Sequence, residues 1–356
     1  MARTTAASGA LAVRKAGILA GGGVLLSLVF GLLTGLPAQA HAETVGAFEI
    51  VATDPGQPLD GGDYSYSGNV LEIKTDKPVT VSMANPDATT NTDRIVVSSL
   101  AADITLAGVK IKLSVDDDCA FEIKSNASAK LTLAEGSANS LVSGTYRAGL
   151  KVPAGASVSI GGEGSLEAKC FSEVRAYGAG IGGDQGGSAG SIEITGGTVT
   201  ASCESSGTAH GAGIGDGSYG SGARVAISGG RIKAAGSVEI DSAATITGGL
   251  FADGVLGDGT VYKVKPSEGC VVRESPFEDK DAYPYAVAAP AGDFMVTGGA
   301  QGVDYSYGSN VLELRTGTPM VVSMKEGVSK TQDSRILVSA GTDARRREVV
   351  GGCFNP

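Results

Sequence analysis

The sequence predicts an all-β fold, a right-handed parallel β-helix (solenoid) behind an N-terminal β cap segment. Three observations predict it: apolar residues alternate at strand period, no helical 3.6-residue periodicity appears, and segments recur at fixed offsets. Taken in chain order, each segment has its own physical reason.

Residues 1–40 read as a secretory signal peptide. Arg3, Arg14 and Lys15 form a basic start, Ala16 to Leu36 is apolar, and Ala38-Gln39-Ala40 offers small residues to a signal peptidase. The alternative is a retained anchor, since the apolar run approaches the length of a bilayer span. The expected location is secreted or cell-surface, with no stable membrane insertion after cleavage. Removing the three basic residues lowers the net charge from −10 to −13. Such a surface repels the phosphate backbone, so no nucleic acid partner is expected. Gly supplies 55 residues and Trp none, which disfavours a core of large aromatics and suits thin, stacked coils.

Residues 44–100 are assigned to the cap, on the strength of a duplication. Tyr64-Ser65-Tyr66, Asn69 to Thr75, Val81-Ser82-Met83 and Arg94 to Ser98 return as Tyr305-Ser306-Tyr307, Asn310 to Thr316, Val322-Ser323-Met324 and Arg335 to Ser339. The first copy leads straight into alternating strands, as the end cap of a solenoid does. The second copy, 294–340, is expected to stand without a solenoid of its own, and 341–356 reads as an aberrant or truncated tail. Residues 266–293 are taken as a linker.

Residues 101–265 carry the coils. Ile104-Thr105-Leu106, Leu131-Thr132-Leu133 and Val158-Ser159-Ile160 place apolar side chains at every second position. The last two are aligned at an offset of 27, whereas Gly178 to Gly215 repeats at 33: Gly178-Ala179-Gly180-Ile181-Gly182 returns as Gly211-Ala212-Gly213-Ile214-Gly215, and Ile192 to Thr200 as Val225 to Lys233. A β-propeller needs longer repeats with aromatic signatures. The same offset puts Cys170 and Cys203 on equivalent positions of adjacent coils, about 4.8 Å apart. That spacing suits either a buried ladder of small side chains or a disulfide.

Several groups are candidates for chemistry. Asp116, Asp117 and Asp118 on one turn, and Asp184 and Asp216 on stacked Gly-rich turns, offer hard oxygen ligands for calcium, or are simply turn-forming residues. Tyr64 and Tyr66 share one side of a strand and present phenols to a sugar ring or to a cross-strand neighbour. Arg147 and Arg175 are basic residues available to a glycan. Asn91-Thr92-Asp93, Asp117-Asp118-Cys119, His210-Gly211 and Arg231-Ile232-Lys233 look like the four short motifs of the polygalacturonases. Three coils separate Asp118 from His210, however, too far for one acid-base site.

The cap pattern Asp63-Tyr64-Ser65-Tyr66 to Arg94-Ile95-Val96-Val97, together with the Gly-Ala-Gly-Ile-Gly coils and Ile-Thr-Gly-Gly strands, resembles bacterial carbohydrate-binding β-helix surface proteins, which look like polysaccharide lyases without their catalytic residues. The resemblance covers residues 48–250 and the second cap. It implies a calcium-stabilised β-helix that binds a plant or host polysaccharide without cleaving it, that is, an adhesin. A pectin-type lyase or glycosidase and a purely structural stalk are the alternatives.

Overall fold

The computed structural model describes residues 42–113, 118–241, 243–256, 264–315, 319–326, 328 and 334–338. The expected signal peptide, Asp116, Asp117 and the 341–356 tail lie outside the described residues. Among the described residues there is no helix, and the chain forms a parallel-strand β-solenoid of about five turns.

Each turn of the solenoid visits three sheets. Face 1 runs Val79–Met83, Ala102–Ala107, Ser128–Leu133, Ser157–Gly162, Ser191–Ile194, Arg224–Ile227 and Thr245–Ile246, all parallel. Face 2 stacks Lys110–Lys112, Ala138–Ser143, Ser165–Ser172, Thr198–Ser205, Arg231–Ala235 and Leu250–Phe251. Face 3 stacks Val70–Ile73, Arg94–Val97, Phe121–Ile123, Leu150–Lys151, Ile181–Gly182 and Ile214–Gly215.

The core is a set of ladders. On face 1, Val79, Ile104, Leu131, Ile160, Ile194, Ile227 and Ile246 pair one to the next, and none is more than 1% exposed. Each such side chain contributes about 1.5–3 kcal/mol by leaving water. The alternation seen in the sequence is therefore the inward half of each strand.

The register corrects one expectation. Leu131 pairs with Ile160 rather than Val158, so this coil is 29 residues long and not 27. A two-residue slip keeps every apolar side chain inward, so alternation alone cannot distinguish the two registers. The 33-residue repeats hold as read: Ile181 pairs with Ile214, Ile192 with Val225, Val199 with Ile232, and Cys170 with Cys203.

The Gly-Ala-Gly-Ile-Gly runs are where coils approach backbone to backbone. A Cβ on Gly180 would lie 2.7 Å from the Gly213 carbonyl oxygen, and one on Gly213 would lie 2.6 Å from the Glu239 carbonyl oxygen. No other residue fits there without separating the coils.

The duplicated caps fold alike. Phe48 pairs with Met83 and Phe294 with Met324; Tyr64 pairs with Ile73 and Tyr305 with Leu314; Val70 lies parallel to Arg94 and Val311 to Arg335. In both copies a left-handed glycine, Gly46 at φ 59° and Gly292 at φ 63°, turns the chain beneath a tyrosine. An added Cβ would fall on the Tyr66 or Tyr307 ring. Tyr66 donates to Asp93, whereas Tyr307 shares a 3.3 Å hydrogen bond with Ser334, which donates to Asp293 at 2.7 Å.

One further expectation is revised. The segment read as a linker, 266–293, contains the strands Val271–Glu274 and Tyr285–Ala291. Tyr285–Ala291 pairs antiparallel with the last solenoid strand, Leu250–Phe251, and with Phe294–Thr297 of the second cap. The second copy thus continues the face 2 sheet. Sequence patterning missed this because antiparallel addition to a sheet edge needs only backbone hydrogen bonds and leaves no repeat.

Candidate functional site

Face 2 presents its outward side chains in rows that cross the coils. One row reads Lys110, Ser140, Glu167, Thr200, Lys233, and the next Lys112, Val142, Lys169, Ser202, Ala235. Their inward neighbours Ile111, Leu141, Ala168 and Ala201 are buried, so strand alternation fixes which residues face out. Lys110, Ser140, Glu167 and Thr200 of the first row and Lys112, Val142 and Lys169 of the second line an open groove of about 540 Å³, with Ser165 and Phe171 along it. Phe171 is 37% exposed, and the Lys169 ammonium stands 5.2 Å from its ring centroid. Lys169 also pairs with Glu204, and Ser140 donates to Glu167 at 2.9 Å. In a chain of net charge −10, this face gathers Lys110, Lys112, Lys169, Arg231 and Lys233 against Glu167, Glu204 and the Asp279 partner of Arg231.

Beyond Phe171 the chain turns a corner towards face 3. There the rings of Tyr146, Tyr177 and His210 stack along the solenoid axis, with centroids 5.7 Å and 4.9 Å apart. Their flat faces are largely turned on one another, leaving edges to solvent. Arg175 is exposed on the same corner, where hydrogen bonding to Tyr177 raises its pKa, and Tyr219 is 85% exposed.

Arg147 points the other way, into a charge network beneath the corner. Asp184 accepts from the Arg147 guanidinium at 2.9 Å, Lys151 at 3.1 Å, the Ala148 N–H at 2.9 Å and the Cys119 thiol at 3.3 Å. Lys151 continues to Glu122 at 2.9 Å, which meets Arg94 at 3.2 Å, and Arg94 meets Asp118 at 3.2 Å. Burial works against ionisation of Asp184, but the Ala148 N–H and the two cations outweigh it and hold the carboxyl below its usual range. Burial and the Asp184 charge push the Cys119 thiol well up.

The sequence candidates are placed as follows. Tyr64 and Tyr66 are half-buried in the cap with their hydroxyls bonded to Glu43 and Asp93, and both phenols are pushed up to about 12. For Tyr64 burial acts first and then Glu43; for Tyr66 the Asp93 hydrogen bond acts first. Asp118 and Asp184 are ion-paired, and Asp216 accepts the Ala189 and Ala223 N–H groups at 2.6 and 3.1 Å. Among the described residues no three acidic, His or Cys side chains gather as a metal shell. The polygalacturonase-like fragments are dispersed: Asp93 sits in the cap, Asp118 on the Arg94 pair, His210 in the ring stack, and Arg231 on Asp279.

Cys170 and Cys203 face each other in register, both buried and both free thiols, in a small cluster with Ala176 and Ala209. Sequence reasoning missed the lysine rows and the ring stack. The stack was legible, since Tyr177 and His210 each immediately precede a Gly-Ala-Gly-Ile-Gly run. The lysines were not, because their alignment depends on the coil lengths between them. No family model, curated protein or solved structure matches this chain.

Proposed function

We propose that this chain is a secreted or cell-surface, non-catalytic polysaccharide-binding protein that takes an extended anionic glycan along face 2. The observation that carries the reading is the open groove into which Lys110, Lys112, Ser140, Lys169, Phe171 and Thr200 project from successive coils. A linear polymer presents charge and hydroxyl groups at intervals, and parallel coils about 4.8 Å apart present matching donors in register. Lysines gathered on an otherwise acidic protein favour a polyanion, and Phe171 offers an apolar patch to a sugar face. The three coils between Asp118 and His210 support binding without cleavage, because general acid-base chemistry needs its groups within reach of one bond.

Calorimetric titration of the protein with a polyuronate and with neutral glucans tests this. The polyuronate is expected to bind, and Lys110→Glu with Lys112→Glu to weaken it by about tenfold or more, equivalent to about 1.4 kcal/mol. Equal affinity for neutral glycans would remove the anionic part of the reading. No binding to any glycan would sink the whole, and release of unsaturated products or reducing ends would replace it with an enzyme.

A further inference from the structure

The geometry points to Cys170 and Cys203 as a disulfide-forming redox pair, with Cys203 the attacking sulfur and Cys170 the resolving one. The two residues are directly opposite on adjacent parallel strands of face 2. Neighbouring parallel strands bring Cα atoms to a separation that a disulfide spans without backbone movement. The sulfurs are not equivalent. Cys170 Sγ donates towards the Gly144 and Thr145 carbonyl oxygens at 3.3 and 3.5 Å, while Cys203 Sγ accepts the Gly211 N–H at 3.3 Å. Both sulfurs lie near backbone N–H groups, and the two carbonyl contacts are what set Cys170 apart as the sulfur that keeps its proton. The titration agrees in direction: contact with Cys170, and then the Gly211 and His210 N–H groups, hold Cys203 below the usual thiol range against burial, whereas contact with Cys203 and burial push Cys170 up against the Gly178 and Tyr177 N–H groups.

What covers the pair is slight. The strands Arg175–Ala176 and Thr208–Ala209 form a two-stranded sheet of their own at the corner, and its apolar contribution to the cysteine cluster is Ala176 and Ala209. Those thiols form a cluster separate from the main core. So small a cover opens at low cost compared with the solenoid beneath. Opening admits a small disulfide such as oxidised glutathione. The Cys203 thiolate attacks one of its sulfurs and releases a glutathione thiolate, which takes up a proton. Cys170 then gives up its proton and attacks Cys203 Sγ, expelling the second glutathione. Two protein thiols are oxidised, one small disulfide is reduced to two thiols, and two adjacent coils are joined.

The test is oxidation of the reduced full chain with oxidised glutathione, followed by alkylation, digestion and mass spectrometry. The wild-type chain is expected to give the Cys170–Cys203 linked peptide in preference to any other cysteine pair. In Cys170→Ala, Cys203 should retain glutathione; in Cys203→Ala, Cys170 should take it at least about tenfold more slowly. Circular dichroism verifies that each variant keeps its strands. Alkylation of both residues in the wild-type chain, under conditions that modify the more exposed Cys270, would overturn the pair. Equal glutathione uptake by the two single variants would overturn the assigned order of attack.

Discussion

Substituting Gly180 by Ala should separate two coils, and the structure sets the scale of the damage. The new methyl carbon would lie 2.7 Å from the Gly213 carbonyl oxygen and 2.8 Å from the Ala201 carbonyl carbon. Both are backbone atoms of neighbouring segments and have no side-chain freedom to yield. Relief requires the coil to retreat from the Gly213 coil, which stretches the bonds Gly180 N–H to Ala212 O and Ile181 N–H to Gly213 O, each 3.0 Å. Overpacking costs about 1–3 kcal/mol, and two weakened hydrogen bonds add about 1 kcal/mol each. The expected loss is therefore about 3–5 kcal/mol. Gly186 is the control: its φ is +71° and an added Cβ meets nothing, so Gly186→Ala costs only the left-handed penalty of about 1–2 kcal/mol. Urea unfolding followed by circular dichroism compares the two. If Gly180→Ala unfolds within about 1 kcal/mol of the parent, or if Gly186→Ala is the worse of the pair, close coil approach is not why the motif is glycine-rich.

Two further outcomes follow from the charge network and the cap. Asp184→Asn should cost about 2–4 kcal/mol in urea, since it removes the charge that Arg147 and Lys151 share. Because folding lowers the Asp184 pKa, its contribution is full above the unfolded value of about 3.9 and is lost as pH falls through the folded value. The parent midpoint should accordingly drop more steeply than that of Asp184→Asn below about pH 4, and parallel pH profiles would contradict the pairing. Tyr64 and Tyr66 are raised to about 12, so their stabilising effect is present below the unfolded value of about 10 and lost as pH rises through 12. Ultraviolet titration should show Tyr66→Phe losing one late-ionising phenol. Loss of one that ionises near 10 would refute the Asp93 contact.

The sequence by itself determined the all-β class, the coil-like repeat, the duplicated cap and the facing of Cys170 and Cys203. These rest on local chemistry: alternation marks which side chains turn inward, and a glycine recurs wherever coils meet backbone to backbone. Tertiary structure decided the rest. The 29-residue coil that sets Leu131 on Ile160 is invisible to alternation, because a slip of two residues preserves every apolar position. Since coils of unequal length follow one another, from 19 residues between Ile227 and Ile246 to 34 between Ile160 and Ile194, Lys112 and Lys169 share one row only after each register is fixed. The Asp184 carboxylate, read in the sequence as a metal ligand, is claimed by Arg147 and Lys151 from the coil before it. Ladder stacking converts residues some thirty positions apart into neighbours about 4.8 Å apart, and a sequence records the residues but not the lengths that bring them together.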